Sequence, residues 1–480
     1  MEDLTLQLAD GTAILVPRSL DSITTYVLLE QEAWFEKEAS FVPLLLSPGA
    51  TALDIGANLG VYSLPMARRV GPAGRVFAYE PASETRALLE KSAARNGFRN
   101  LEIVAAALSN APGEARLSFG WSSELHTLTE AEGGGESVRV TTLDEEDAAR
   151  NWPPIDFVKI DAEGEEIRIL RGGGKFFARH SPLVMFEVKS RVAVDDSIPA
   201  AFKAIGYRIF RLLNGAPLLV PVEDGETIDR NELNLFAAKP DRAADLAGKG
   251  LLVEHTPPAW TADEAARRAA LDLVRSQPFA QSFAQFFASE TVDPAYRSAL
   301  AGYAGWRNGA LPWAERYGAL LFAYRKMLDL CQMGATPARL STLARIAWEM
   351  GRAISAEDSV NALLKRGEGT VTEPFWPVSP RFDRIVPGAD AGVWFVVGAV
   401  EYLERYTAYS SLFTASSRNV EWLSTQPYAS TEMERRRILR RLRGGERLPV
   451  PEILLHRAPG HINAEVWRSG LVPNTLVVRR

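Results

Sequence analysis

The 480-residue sequence predicts an open α/β sheet followed by a mostly helical half. Two observations carry that expectation. Up to about Pro240, short β-type runs alternate with amphipathic helical stretches, the pattern of a mostly parallel sheet covered on both faces. Beyond it, apolar residues recur at helical spacing, as in Tyr317, Leu320, Leu321, Tyr324 and Leu328.

The N-terminal "MEDLTLQLADGTAILVP" alternates apolar and polar residues, as a β-hairpin turning at Asp10-Gly11 does. The segment "EQEAWFEKEASFVPLLLSPG" reads as a lid helix, so residues 1–48 form one N-terminal unit. The strand runs of the sheet fall at 52–55, 75–79, 101–106, 157–161, 183–188, 207–212 and 233–238. Between them lie helices such as "ETRALLEKSAARNG", which stops on Gly97. The last two runs are joined only by turn-rich sequence and are expected to pair antiparallel at the sheet edge. The sheet domain therefore spans 49–240, a linker 241–261, and a helical domain 262–480. Within the latter, "TPARLSTLARIAWEMGRAISAEDSVNALLKRG" reads as two helices with a turn after Gly351. Eight of the eleven tryptophans lie beyond Pro240, where they are expected in cores and interfaces rather than on a stacking platform.

Composition excludes several classes. With 46% hydrophobic and 24% charged residues the chain can bury a core. Its net charge of −6 argues against nucleic acid as the main partner. Cys331 is the one cysteine, which forbids an intrachain disulfide or thiol pair and fits a cytoplasmic location. No apolar run reaches the roughly 20 residues of a membrane span, and the N-terminus lacks the grammar of a signal peptide.

"LDIGANLGVYSLPMA", Leu53 to Ala67, places Gly56 and Gly60 where the first strand turns into its helix, the ligand-binding end of an open α/β sheet. A dinucleotide fingerprint would read G-x-G-x-x-G. Here Asn58 stands at the middle glycine, which disfavours a nicotinamide oxidoreductase. Asp54 in the loop approach and Glu80 at the end of the second strand suit a nucleoside with a charged amino-acid tail. Glu80 would accept hydrogen bonds from both ribose hydroxyls, and Asp54 would hold a loop amide or a ligand ammonium. S-adenosylmethionine is the expected ligand, with Asp54, Gly56, Asn58, Gly60, Glu80, Pro81, Ala106 and Ala107 as its binding residues. The two alanines would let the adenine ring lie flat.

That loop, "GRVFAYEP", "NLEIVAAALS", "VTTLDEE", "DFVKIDAEGEEIRILRGG" and "PLVMFEVK", in this order, resemble the FkbM-family S-adenosylmethionine-dependent methyltransferases over roughly residues 31–239. The resemblance implies a Rossmann-like class I methyltransferase domain with a seven-stranded, mostly parallel sheet whose last strand is antiparallel. It implies O-methylation of a hydroxyl on a sugar, glycan or secondary metabolite, with N-methylation of an amide as the alternative. It says nothing about the helical half, for which a role as a scaffold binding a protein partner, or a homo-oligomer contact, stays open.

Methyl transfer needs the acceptor aligned with the methyl group and, for a hydroxyl, its proton removed. By resemblance "KIDAEGEEIRIL" lies nearest the chemistry. Asp161 is the first candidate for acceptor binding or general base; the competing role is a cap on a helix starting near Ala162. Glu163 either enters the cleft or completes that helix's first turn. Glu187, ending the fifth strand, would hydrogen-bond the acceptor or serve as a cap or lysine partner. His126 in "WSSELHTL" is a base candidate or a surface histidine, and Trp121, Ser122 and Ser123 beside it are candidates to contact adenine or acceptor. Lys159 shares a strand face with Asp161 and is expected to pair with a carboxylate. Trp34 and Phe35 would line the acceptor pocket or pack the lid. No spacing signals a metal site, and none is expected. The run "MERRRILRRLRGGER" is expected as a solvated helix, with docking of an anionic glycan, a nucleotide-sugar or an acidic protein as the alternative.

Overall fold

The computed structural model describes residues 3–476 apart from 119, 121, 124–126, 130–134, 191–192, 195, 230, 288–291, 367–370 and 415–417. The chain opens with the hairpin β1 (Asp3–Gln7) and β2 (Ala13–Pro17), in which Gly11 adopts φ +82° and Asp10 accepts the Thr12 amide at 2.9 Å. Helices α1 (Ile23–Gln31) and α2 (Glu38–Leu45) follow. The expected single lid helix is thus two. Glu32 caps α1 in the left-handed region at φ 63°, which puts Trp34 and Phe35 on the connection rather than on a helix face.

The sheet core alternates β3 (Thr51–Ile55), α3 (Ser63–Val70), β4 (Arg75–Tyr79), α4 (Ser83–Asn96) and β5 (Leu101–Val104). Strands β6 (Ala107–Leu108), β7 (Gly113–Ser118), β8 (Thr127–Thr129) and β9 (Glu136–Thr141) make a small side sheet. Next come α5 (Leu143–Arg150), β10 (Phe157–Ile160), α6 (Glu166–Arg171), α7 (Gly174–His180), β11 (Leu183–Glu187), the short pair β12 (Lys189–Ser190) and β13 (Ala193–Val194), and α8 (Ser197–Ala204). Strands β14 (Arg208–Leu212), β15 (Leu219–Pro221) and β16 (Asn234–Ala238) complete the main sheet, whose order is β15-β14-β16-β11-β10-β3-β4-β5. Strands β3, β4, β5, β10 and β11 run parallel, and β16 is antiparallel to both β11 and β14. This is the α/β methyltransferase arrangement with one strand more than the seven expected. The last two predicted runs do pair antiparallel, yet β16 inserts between β11 and β14, and β15 takes the edge.

The expected linker is partly helix: α9 (Pro240–Gly248) starts on a proline at its first turn and buries Ala243 and Leu246 against the sheet's core. The rest is α10 (Glu264–Arg275), α11 (Ala284–Phe287), α12 (Pro294–Arg307), α13 (Trp313–Gly334), α14 (Pro337–Glu349), α15 (Ala353–Lys365), α16 (Ala391–Tyr406), α17 (Arg418–Leu423), α18 (Thr431–Arg443) and α19 (Ala464–Arg468). Helices α14 and α15 are the pair expected around Gly351, which turns at φ +75°.

The two halves share their cores. Leu4, Ile14 and Tyr26 belong to one apolar cluster with Leu439, Leu442 and Trp467. Leu213, Leu218 and Val220, around β15, join the helical cluster of Phe279, Trp376 and Trp394. Polar seams accompany them. Buried Glu30 accepts hydrogen bonds from the Ser411 amide and hydroxyl and faces Arg436, while Glu32 holds His461 and Asn463. Arg435 and Arg436 of α18 are 2% and 1% exposed. The first part of the arginine run is therefore not solvated: Arg435 donates to the Glu30 carbonyl, and Arg436 lies 3.7 Å from the Glu30 carboxylate while donating to Glu432 one turn back on its own helix. Among the described residues no helix is long and apolar enough to cross a membrane.

Candidate active site

A cavity of about 390 Å³ opens at the carboxyl ends of β3, β4, β10 and β11. Its floor is the loop after β3. The Gly56 and Ala57 amides both donate to the Tyr79 carbonyl, 3.1 and 3.0 Å, which ties the loop to β4. A Cβ at Gly56 would lie 1.8 Å from the Asp161 carbonyl oxygen, so glycine is required by the neighbouring strand end itself. Gly60, at φ +92°, has no room because Leu89 and Leu64 pack against it. Asn58 takes φ 48°, which asparagine tolerates better than most side chains.

Glu80 faces the cavity with both oxygens already engaged once: Oε2 accepts the Asn58 amide and Oε1 the Ala82 amide, each at 2.8 Å. Burial pushes its carboxyl up to about 7, against the pull of those two amides. Each oxygen keeps lone-pair capacity for a further donor. Gly56, Asn58, Pro81, Ala106 and Ala107 line the same cavity. Asp54 and Gly60 do not. Asp54 is buried beneath the wall, with Oδ2 accepting from Ser63 at 2.5 Å and Oδ1 left without a hydrogen bond. Ser123 lines the cavity and donates to Asn58 Oδ1 at 3.0 Å, whereas Ser122 accepts the Ile23 amide. His126 and Trp121 lie outside the described residues.

The opposite wall is acidic. Asp161, Glu163, Glu187 and Glu36 line it around one buried cation, Lys159. Lys159 Nζ lies 3.0 Å from Asp161 Oδ2, 3.7 Å from Asp54 Oδ1 and 5.1 Å from the Tyr62 ring centre. Burial alone would lower its pKa, but Asp161, Asp54 and Glu36 more than offset that and raise it. Asp161 is thus an ion-pair partner and not a helix cap; α6 starts five residues later, and Glu166 itself accepts the Ala162 and Gly164 amides. Glu163 sits on the cavity wall at φ 50° rather than in the first turn of α6. Burial, then Asp161 and Glu163, push Glu187 up to about 10. Glu36 was not singled out from sequence. Burial and then Asp161 raise its pKa, while Tyr62 and Trp34 hydrogen-bond to it. Its only sequence cue is its place beside Trp34 and Phe35, which do line the cavity as expected. Tyr409 and Phe413 complete the rim from the helical half, and the Phe35 and Tyr409 rings stand 5.4 Å apart.

Residues 54–209 match the family model of the methyltransferase FkbM domain. The chain carries an FkbM-family methyltransferase domain. Among similar proteins, AMB antimetabolite synthetase AmbE of Pseudomonas aeruginosa is 34% identical over 115 residues, 24% of this chain and 5% of that protein. Methyltransferase sdnD of Sordaria araneosa is 28% identical over 153 residues, 25% of this chain and 59% of that protein. The chain thus spans less than two thirds of either relative. A crystal structure of methyltransferase FkbM from Methylobacillus flagellatus shares 16% identity over 43% of this chain and 47% of that one, with a TM-score of 0.30. The match runs from Asp54 on β3 to Ile209 on β14, so Trp34, Phe35, Glu36, Tyr409 and Phe413 all lie outside it.

The methyl donor of such a domain is S-adenosylmethionine, and the cavity fits it. Glu80 would offer two carboxylate oxygens to ribose hydroxyls, the small side chains of Ala106 and Ala107 would leave room for adenine, and the Gly56–Asn58 loop would form the floor beneath it.

Proposed function

We propose that the chain transfers a methyl group from S-adenosylmethionine to a hydroxyl of a small acceptor, a sugar, glycan or secondary metabolite. The observation that carries this reading is a single cavity with a carboxylate, Glu80, on one wall and the carboxyl cluster around Lys159 on the other. When bound, S-adenosylmethionine supplies an electrophilic methyl on a sulfonium. Glu80 holds the ribose hydroxyls. Asp161, fixed by Lys159, accepts a hydrogen bond from the acceptor hydroxyl and orients it. Glu36, made more basic by burial and by Asp161, takes the hydroxyl proton as the oxygen–methyl bond forms. Glu187, whose pKa is pushed to about 10, serves as a neutral hydrogen-bond donor to the acceptor at neutral pH. Trp34, Phe35, Tyr409 and Phe413 keep water from the reacting groups.

The test incubates the full chain with methyl-labelled S-adenosylmethionine and a panel of hydroxylated acceptors. Release of S-adenosylhomocysteine together with a new methoxy signal in the product spectrum is the expected result. A labelled N-methyl amide, or donor binding with no transfer to any acceptor, would overturn the assignment to hydroxyl chemistry.

A further inference from the structure

A second cavity, of about 220 Å³, lies between the two halves and adjoins the donor cavity. The two share Phe35, Glu36, Leu233 and Tyr409 as lining residues. Tyr409 is anchored from both sides: Gln31 donates to its carbonyl at 2.5 Å, and its hydroxyl donates to the Asn231 carbonyl at 3.4 Å. Tyr409 is thus a fixed part of the border between the cavities.

The far wall belongs to the helical half. Trp348 and Tyr406 lie 5.4 Å apart, and Tyr402 and Tyr406 4.9 Å apart. The ionic residues around this space are matched to one another. Lys37 donates to Glu232 at 3.1 Å, and Arg405 pairs with Glu432 at 3.0 Å. Burial pushes Glu38 up to about 8, which favours its neutral form near pH 7. What remains toward a ligand is aromatic surface with the amides of Asn214 and Asn231 on the lining, and Glu36 at the junction with the donor cavity. That suits an uncharged ring whose C–H face packs on aromatics and whose hydroxyls meet amides. The volume is below the roughly 300 Å³ of ordinary ligand pockets, room for one ring of a larger acceptor.

We propose that this inter-half cavity is the acceptor subsite, taking a neutral sugar ring and passing its neighbouring hydroxyl across Glu36 to the donor cavity. The inference rests on the methyltransferase reading. The helical half is then the specificity element of the enzyme, a role the family-matched segment cannot supply because it ends before Trp348, Tyr402, Tyr406 and Tyr409.

The test is saturation-transfer NMR on the full chain, saturated with S-adenosylhomocysteine, against neutral methyl glycosides of the gluco, galacto, manno and rhamno series and against glucose 6-phosphate. The expected result is transfer to at least one neutral glycoside, stronger than to the phosphate, and at least a tenfold loss of it in Ala353→Trp and in Ala408→Phe. Both variants add bulk to the lining and are expected to keep the calorimetric affinity for S-adenosylhomocysteine within about twofold. Transfer that persists in both filled variants, or transfer to the phosphate alone, overturns the subsite. No transfer to any glycoside by a chain that binds S-adenosylhomocysteine also overturns it. Failure of the unaltered chain to bind S-adenosylhomocysteine would instead sink the methyltransferase reading.

Discussion

Lys159 and Asp54 stand in register on adjacent parallel strands, β10 and β3, with the ammonium 3.7 Å from an Asp54 oxygen that no hydrogen bond satisfies. Both side chains are almost fully buried, and Asp161, two residues along the strand from Lys159, binds the same cation at 3.0 Å. The acidic wall of the candidate active site is therefore held by one cation shared by two carboxylates.

Removing that cation leaves buried charge uncompensated. Lys159→Met is expected to lower unfolding stability by about 3–5 kcal/mol, the usual penalty for breaking a buried ion pair. The double variant Asp54→Asn/Lys159→Met should regain part of it. Urea denaturation of the three proteins checks this; an additive double variant would mean that Asp54 and Lys159 do not interact.

Glu80 titrates near neutrality, and two signs follow. Between about pH 4.5 and 7 the folded chain holds a proton that the unfolded chain has released, so this group's contribution to stability falls as pH rises through that window. Donor affinity runs the other way, because ribose hydroxyls bind the ionised carboxylate. Affinity for S-adenosylmethionine should rise from pH 6 to 8 in the unaltered chain and be flat in Glu80→Gln. Glu80→Ala should weaken binding by roughly 100-fold, the loss of two charge-assisted hydrogen bonds. Isothermal calorimetry across pH reads both.

Base and binding roles separate kinetically. Glu36→Gln is expected to cut kcat by at least about 10²-fold, with donor affinity unchanged. Asp161→Ala should lower turnover more than donor affinity and also raise KM for the acceptor. Full turnover in Glu36→Gln would return the base role to Asp161 or His126.

The two halves should not part cleanly. A chain cut after Lys239 leaves Leu4, Ile14 and Tyr26 without Leu439, Leu442 and Trp467. Aggregation, or strong binding of an apolar dye, is the expected behaviour in light scattering and fluorescence; a monodisperse, cooperatively unfolding fragment would refute the shared core.

Much of this site was legible from local pattern. The first two strand runs, the glycine loop and Glu80 lie within about 30 residues of one another, where period and spacing carry information. Asp161, Glu163 and Glu187 were readable because a strand's carboxyl end is a fixed place in such a sheet. Other features were not. Nothing in "MERRRILRR" announces that Arg435 meets the Glu30 carbonyl 405 residues away, so solvent is the natural expectation for it. Glu36 and Tyr409 escape for the same reason: each becomes a site residue only through packing that joins distant segments. The need for glycine at position 56 has the same origin, since its missing side chain makes room for the Asp161 backbone over a hundred residues away.

The seam between α1 and the helical half joins residues 381 and 431 positions apart, Glu30 to Ser411 and Glu32 to Asn463. On the ribosome the N-terminal portion therefore waits, with α1 unpartnered, until Ser411 and Asn463 have been made. Contacts this far apart in sequence make folding slow. They also tie the rim at Tyr409 and Phe413 to late synthesis, so the cavity gains that rim only after every strand of the main sheet has been made.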